Sequence, residues 1–320
     1  MFPAFPNQNR VTMLKDRAFM LAQTRIFFTA RDILEVDCPI LTTGASVDAH
    51  IDLIPAQYAQ GTTRYMHSSP EYGMKRLLAE GMGDIYQLSH VFRDGESSSK
   101  HNPEFMMAEW YRVGISFESM IEETLEFVRL FLGPLPARTI SYREVFIKYA
   151  GFDYVQAPVP FLVQYLQNQG INPYEGIEQE GKDALLNMIL GAVIEPRLGE
   201  GELCALAYYP ASQAALAQTQ VINDEQVAER FEIYFKGLEL ANGYHELTNA
   251  KEQRLRFIEA NQARSRLGKN QLPLDESFLT ALEKGIPDSC GVAVGFDRLM
   301  MLRHRTSNIA DVIPFVWALA

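Results

Sequence analysis

The chain has 320 residues, of which 47% are apolar, so it can bury a substantial core in one large domain or two ordinary ones. Its 40 acidic and 29 basic residues give a formal charge of -11, which argues against sequence-independent binding of nucleic acid. No apolar run reaches the ~18 residues of a membrane span, and residues 1–10 lack the layout of a signal peptide. These features predict a cytoplasmic protein without a membrane partner.

The three cysteines, Cys38, Cys204 and Cys290, are far apart, and none belongs to a Cys-x-x-Cys pair. Neither a zinc site nor a disulfide framework is therefore indicated, and we interpret all three as small core residues.

Apolar periodicity and turn residues predict an alternation of helices and strands without internal repeats. In chain order, the predictions are a helix at 10–34, a strand at 35–41 with Pro39 at an edge or at a contact with another chain, a short strand and a capped helix within 64–80, strands at 84–93 and 103–113, a helix at 116–132, a strand at 203–209, short strands at 231–235, 238–240 and 244–247, a helix at 251–266, and a strand followed by a helix within 291–302.

Between about 134 and 204 the pattern changes. Prolines, the polar segment at 167–170 and a helical pattern at 183–189 indicate a small helical insertion within a single domain that spans 1–320.

The stretch from Arg93 to Tyr111 has the composition of a nucleotide-binding loop. Arg93 opens a run of small polar residues, which ends with His101 and Asn102 before the aromatic residue Phe105. A guanidinium and an imidazole can neutralise phosphate oxygens, and an aromatic ring can stack on a base. The alternative is a solvated hairpin without a function.

Glu232, Glu239 and Glu246 recur every seven residues across three predicted strands, with turns predicted at 236–237 and 242–243. Glutamates that converge on one sheet face repel one another unless they share a divalent cation or a cationic substrate. Scattered surface glutamates are the alternative. Further along, Gly291 and Gly295 lie in an apolar strand before Asp297 and Arg298, an order that allows a ligand to approach the backbone.

Taken in order, the long helix with Pro39, the loop ending in His-Asn-Pro-Glu-Phe at 101–105, and Gly-Val-Ala-Val-Gly-Phe-Asp-Arg-Leu at 291–299 resemble motifs 1, 2 and 3 of the class II aminoacyl-tRNA synthetases. The lysyl-tRNA synthetase branch is the most similar, because it shares Ser-Pro-Glu at 69–71. The resemblance implies an α+β fold with an antiparallel sheet flanked by helices. It also implies a homodimer through motif 1, bent ATP, and Mg²⁺.

Roles follow from the resemblance by position. Arg93 would hold the α-phosphate, His101 the outer phosphates and Asn102 the adenine edge, while Phe105 and Arg298 would sandwich the ring. The implied catalytic residues are Arg93 and Arg298. The implied ATP contacts are Arg93, Glu96, His101, Asn102, Phe105, Glu239, Leu240, Gly295 and Arg298, and the implied metal ligands are Glu232 and Glu239. Asp94 is an alternative to Glu96, because the motif 2 carboxylate is displaced by one residue.

The implied amino-acid pocket is acidic, which suits a lysine-like substrate because a buried ammonium needs compensating charge. Glu71 would receive the amine near the substrate carboxylate, and Glu246 would lie at the distant ammonium. The implied substrate contacts are Ser69, Pro70, Glu71, Glu109, Tyr111, Asn242, Tyr244, Glu246 and Ala293.

The motif 1 helix begins almost at the first residue, so we expect no anticodon-binding OB-fold, and tRNA is an unlikely partner. This plan resembles the bacterial elongation factor P lysine ligases, paralogues of the synthetase that attach a β-lysine to a lysine of that translation factor. Ala293 and Tyr-Pro-Ala-Ser-Gln-Ala at 209–214 also fit the paralogues. The resemblance implies an ATP-dependent ligase with elongation factor P as acceptor. The alternatives are a free-standing enzyme that makes lysyl-adenylate for tRNA or a small molecule, and an inactive sensor.

Overall fold

The structure, a computed structural model, describes residues 10–44, 46–174 and 176–320. Residues 1–9, on which the expectation of no signal peptide depends, lie outside the described residues. Among the helices of these described ranges, none combines the length and the apolar character needed to cross a membrane. The chain divides into two compact units: unit 1 comprises Met1–Pro134 and Glu246–Ala320, and unit 2 comprises Leu135–His245.

The N-terminal part of unit 1 alternates helices and strands. In chain order these are α1 Arg10–Thr29, β1 Leu34–Glu35, β2 Leu41–Thr42, β3 Pro55–Gln57, β4 Thr63–Met66, α2 Glu71–Ala79, β5 Ile85–Phe92, β6 Glu104–Val113 and α3 Phe117–Leu132.

Unit 2 combines helices with a second group of strands. They are β7 Ala137–Ser141, α4 Tyr142–Val145, a π-helix at Phe146–Ala150, α5 Val159–Asn168, α6 Lys182–Ile189, a π-helix at Leu190–Ile194, β8 Leu203–Pro210, β9 Thr219–Ile222, β10 Glu225–Phe235 and β11 Leu238–His245. Unit 1 then resumes with α7 Ala250–Arg266, α8 Glu276–Lys284, β12 Ser289–Gly295 and α9 Phe296–His304.

In unit 1, the strands that carry most of the motif residues form the order β1-β5-β6-β12. Apart from the short parallel pair β1 and β5, the neighbours are antiparallel. A small antiparallel sheet, β2-β4-β3, lies in the same unit. Helix α1 buries Met13, Met20 and Phe28 at spacings of a helical repeat, and the Phe28 ring stacks on Tyr86 of β5. The sheet is therefore covered by helices, as expected for the predicted α+β class.

In unit 2, the strands follow the order β11-β10-β8-β7, with β9 paired to β10. Only β7 and β8 run parallel. Helices α4, α5 and α6 contribute Tyr142, Leu162, Leu185 and Ile189 to a buried cluster that also includes Leu206 of β8. The helices predicted near 134–204 thus share an apolar core with strands of the same unit.

Most predicted elements are confirmed to within a few residues, but three predictions are wrong. The helix predicted at 10–34 ends at Thr29, where the chain turns and Asp32 takes a left-handed conformation. The strand predicted at 35–41 is divided between β1 and β2, which belong to different sheets. Asn242-Gly243 is not a turn, because β11 continues through both residues in register with β10.

Cys38, Cys204 and Cys290 are buried, as predicted, and none of them forms a disulfide bond with another described residue.

Candidate active site

Arg93 directly follows β5, and its side chain lies against the ring of Phe105, at the other end of the predicted nucleotide-binding loop. Its guanidinium carbon is 5.1 Å from the centroid of the Phe105 ring, and its Nη1 is 3.8 Å from Oε1 of Glu96. Within the described residues, its buried Nε–H has no hydrogen-bond acceptor. A buried donor without a partner is costly, so this geometry suits an anionic ligand that accepts the bond. Glu96, rather than Asp94, is the acid that pairs with Arg93.

His101 and Arg298 meet at the start of α9. Nη2 of Arg298 is 2.8 Å from Nε2 of His101, and Nδ1 of His101 is 2.9 Å from Oγ of Ser98. A guanidinium N–H only donates, so Nε2 accepts and the proton is assigned to Nδ1. Burial and the Arg298 charge both lower the pKa of His101. In this state His101 therefore contributes a hydrogen bond rather than a positive charge.

Asn102 is buried, and its side-chain amide is held by the backbone. Nδ2 donates to the carbonyl of Glu104 at 2.6 Å, and Oδ1 accepts from the backbone N–H of Trp317 at 2.9 Å. These bonds use one of the two Nδ2 hydrogens and one of the two Oδ1 lone pairs, and they fix the side chain within the loop.

Asp297 anchors the beginning of α9, next to Arg298. Its carboxylate accepts from the buried Arg17 of α1 and, at 2.8 Å, from the backbone N–H of Met106 on β6. Arg17 also donates to the carbonyl of Val312 at 3.2 Å. The three sequence motifs are therefore joined by hydrogen bonds that hold Arg298 in place.

The acidic residues of unit 1 converge on one face of the sheet. In the pairing of β6 with β12, Glu109 lies opposite Ala293 and Tyr111 lies opposite Gly291. The hydroxyl of Tyr111 donates to Oε1 of Glu109 at 2.7 Å, and Oγ of Ser69 donates to Oε2 at 2.7 Å. Both oxygens of this buried carboxylate are thus oriented by neighbouring hydroxyls.

Ser69 and Pro70 shape the start of α2. Oγ of Ser69 accepts from the backbone N–H of Glu71 at 2.9 Å, which leaves Glu71 as the first helical residue and places Pro70 at the N-cap. The helix therefore begins within the predicted range of 64–80, directly after the proline.

Lys75, which the sequence reasoning missed, lies between two of the predicted acidic residues. Its Nζ is 2.5 Å from Oε1 of Glu71 and 2.5 Å from Oε2 of Glu246, and its side chain is 1% exposed. The only sequence signal is the i, i+4 spacing of Glu71 and Lys75, which on most helices indicates a solvated pair.

Gly291 permits the close packing of this pocket. A Cβ atom at this position would lie 2.3 Å from the Tyr111 ring and 2.4 Å from Oε1 of Glu246. The glycine therefore admits two side chains of the chain itself, whereas the sequence suggested the approach of a ligand.

The pKa of the Glu109 carboxyl lies far above its ordinary value. Burial first, and the charge of Glu71 second, raise the pKa of Glu109 to about 8, against the opposing effects of the Tyr111 and Ser69 hydrogen bonds and Lys75. At neutral pH this carboxyl is mostly protonated, and a bound ammonium would favour its ionised form.

In unit 2, Glu232 is buried within a hydrogen-bond network. Its Oε2 accepts from the hydroxyls of Tyr209 at 2.6 Å and Tyr234 at 2.5 Å, and its Oε1 accepts from Nη2 of Arg230 at 2.6 Å. These bonds use three of the four lone pairs of the carboxylate.

The other predicted residues of unit 2 lie on β11. Glu239 is paired with Tyr234 across the two strands, and Leu240 is buried beside it in the chain. Nδ2 of Asn242 donates to the hydroxyl of Tyr244 at 2.9 Å.

Glu232 and Glu239 are the carboxylates of unit 2 that the sequence predicted as Mg²⁺ ligands. No group of three His, Cys, Asp or Glu side chains with metal-binding geometry occurs in the part of the chain that the structure describes. Mg²⁺ nevertheless often uses one or two carboxylates and keeps several waters. Glu232 retains one lone pair for such an ion or for one of its waters, and Glu239 lies on the neighbouring strand β11.

Of the predicted residues, one set lies in unit 1 and another lies in unit 2. The unit 1 set is Ser69, Pro70, Glu71, Arg93, Glu96, His101, Asn102, Phe105, Glu109, Tyr111, Glu246, Ala293, Gly295 and Arg298. The unit 2 set is Glu232, Glu239, Leu240, Asn242 and Tyr244.

The fold and these residues define a class II aminoacyl-tRNA synthetase core, and comparison with known families agrees. The family model "tRNA synthetases class II (D, K and N)" matches residues 4–318, and the chain belongs to this family.

Curated relatives carry names that are more specific than the family description. The chain is 42% identical over 304 residues to the elongation factor P (R)-β-lysine ligase of Histophilus somni (strain 2336), which covers 93% of each protein. It is 42% identical over 315 residues to the ligase of that name from Haemophilus influenzae (strain PittGG), covering 97% of this chain and 96% of the relative. The ligase from Pseudoalteromonas translucida (strain TAC 125) is 41% identical over 310 residues, covering 95% of each.

Proposed function

We propose that this protein is an ATP-dependent ligase. It activates (R)-β-lysine, or lysine, as an acyl-adenylate and transfers the acyl group to the ε-amine of a lysine on elongation factor P. Its membership of the class II synthetases and the names of its relatives support this proposal. The observation that carries it within the structure is the buried cluster of Glu71, Glu109 and Glu246, since buried carboxylates favour a substrate with ammonium groups.

In the proposed first step, a carboxylate oxygen of the amino acid attacks the α-phosphorus of ATP. A bond forms between these atoms, and the bond to the pyrophosphate oxygen breaks. The Nε–H of Arg93, which has no acceptor among the described residues, is available for a phosphate oxygen, and the guanidinium of Arg298, which His101 orients, contributes further donors. No covalent enzyme intermediate is needed, because orientation and stabilisation of phosphate charge suffice. Phe105 contributes an aromatic face beside Arg93.

Mg²⁺ would neutralise phosphate charge, with Glu239 as a ligand and Glu232 as a direct or water-mediated contact.

In the proposed second step, the acceptor amine attacks the acyl carbon and AMP leaves. A lysine amine has a reference pKa of ~10.4, so only about one in a few thousand is neutral at pH 7. Docking of the acceptor must therefore favour loss of its proton.

Ala293 is the residue that we propose discriminates between amino-acid isomers. It lies opposite Glu109 on the sheet face that carries the acidic residues. One methyl group typically changes discrimination by ~1–3 kcal/mol, which is enough to favour an amine on the β carbon over one on the α carbon.

We further propose that the protein is a cytoplasmic homodimer that joins two chains through α1. The outward residues Val11, Phe19 and Ile26 of α1 are 53%, 54% and 58% exposed, and Leu34 and Leu41 nearby in the chain are also exposed. Such a row of large apolar side chains is typical of an interface. The formal charge of -11 argues against tRNA as the acceptor.

The test is ATP–pyrophosphate exchange with (R)-β-lysine and with L-lysine, followed by transfer to purified elongation factor P or to tRNA. We expect faster exchange with (R)-β-lysine and a mass increase of one lysyl group on elongation factor P. Replacing Arg93 with alanine should abolish exchange, whereas Arg254→Ala, at an exposed ion pair with Glu276, should not.

Equal exchange with both isomers together with charging of tRNA would indicate the free-standing lysyl-adenylate enzyme instead. Absence of exchange with every lysine isomer would indicate a sensor.

A further inference from the structure

Lys75 is a buried cation at the centre of the acidic cluster, and the roles proposed above leave it without a part in the reaction. Besides Glu71 and Glu246, it faces two aromatic rings: its Nζ lies 5.9 Å from the centroid of Tyr111 and 5.8 Å from that of Phe278. A buried group of ions is often no more stabilising than apolar side chains of similar volume. Stability alone is therefore a weak reason for this arrangement.

The geometry gives Lys75 a positioning role. Glu71 is the first residue of α2, and Glu246 is the residue after β11, so the two acids come from distant parts of the chain. One ammonium group bonds both carboxylates at 2.5 Å. Lys75 therefore fixes the separation of two acids that are proposed to hold the two amines of the substrate.

The charges give it a second role. The acids Glu71, Glu109 and Glu246 carry three negative charges when ionised, and Lys75 neutralises one of them. Two charges remain, which equals the number of ammonium groups on a diamino acyl group after its carboxylate has joined the phosphate. Without Lys75, the three acids in their ionised forms would exceed these ammonium groups by one charge.

We propose that Lys75 is a positioning and specificity residue of the amino-acid pocket, which holds Glu71 and Glu246 apart and matches the pocket charge to a diamino acyl group. The inference rests on the proposed function.

The test is chemical rescue of Lys75→Ala. This substitution removes three carbons and the nitrogen, which propylammonium would replace. We expect kcat/KM for the amino acid to fall about 100-fold or more in pyrophosphate exchange, while KM for ATP changes less than about threefold. Propylammonium should increase kcat/KM of Lys75→Ala for the amino acid by at least about tenfold. Propanol, of similar length and without charge, should restore none.

The controls separate this role from simple packing. Wild type and Lys284→Ala, at an exposed lysine of α8, should show no activation by propylammonium. Three outcomes would each overturn the inference. Propanol could rescue Lys75→Ala as well as propylammonium does, kcat/KM of the variant for the amino acid could be unchanged, or KM for ATP could be impaired as strongly as kcat/KM for the amino acid.

A second measurement does not depend on catalysis. Propylammonium, unlike propanol, should raise the melting temperature of Lys75→Ala but not that of wild type. If wild type exchanges no pyrophosphate with any lysine isomer, the proposed function fails, whereas absence of this selective stabilisation contradicts the role of Lys75 alone.

Discussion

Glu109 shows how the burial of one side chain makes stability depend on pH. Its folded pKa of about 8 lies above the ordinary glutamate value of 4.5, so between these values the folded chain holds a proton that the unfolded chain has released. The contribution is complete below the unfolded pKa and is lost as pH rises through the folded pKa. The free energy of unfolding should therefore decrease with pH, by up to about 1.4 kcal/mol per unit.

Glu109→Gln should remove this pH dependence, because an amide resembles the protonated carboxyl and does not titrate. Urea unfolding at about pH 5.5, 7 and 8.5 would measure it. Glu276→Gln, at an exposed residue of α8, should keep the slope of wild type. Parallel profiles for wild type and Glu109→Gln would contradict the assigned pKa.

At the scale of single residues, the sequence could identify side chains within motifs but not their partners. Glu71, Glu109 and Glu246 were predictable from the family resemblance. Lys75 was not, because an i, i+4 pair with Glu71 has the same pattern whether it is solvated or buried. The neutral state of His101 likewise depends on Arg298, which lies 197 residues away in the chain.

Glu232 of β10 and Glu239 of β11 have different environments, so their replacement should have different effects. Glu232→Gln removes the buried carboxylate that faces the partly exposed guanidinium of Arg230, so the free energy of unfolding should fall by about 1–3 kcal/mol. Glu239→Gln should change stability by less than about 1 kcal/mol. It should instead raise the Mg²⁺ concentration needed for half-maximal pyrophosphate exchange by about tenfold.

Unfolding curves and Mg²⁺ titrations of both variants would measure these effects. A large loss of stability in Glu239→Gln with an unchanged Mg²⁺ requirement would refute the assignment of Glu239 as a ligand.

At the scale of elements, apolar periodicity predicted helix bounds closely where a long apolar pattern coincides with a capping residue. Helix α3 begins after Ser116, whose side chain accepts from the backbone N–H of Ser119, close to its predicted start. The turn predicted at Asn242-Gly243 is absent because pairing of β11 with β10 outweighs the local turn preference of this dipeptide. Helix α8 was missed, since its nine residues give a short pattern despite the cap at Asp275.

The whole molecule should be a dimer if the outward face of α1 is its interface. Replacing both Phe19 and Ile26 with aspartate would place charges in that contact, so sedimentation velocity should show a monomer. Val221→Asp, at a still more exposed apolar residue of β9 in unit 2, should leave the dimer intact. A monomeric wild type, or a double variant that stays dimeric, would rule out this interface.

The three buried thiols also make the chain well suited to spectroscopic labelling. Burial raises the pKa of Cys38 to about 11 and also raises that of Cys204, so their reactive thiolate forms are scarce at neutral pH. Cys290 is equally enclosed. A single cysteine introduced on an exposed loop would therefore accept a fluorophore or spin label selectively, with the native sulfur atoms left in place.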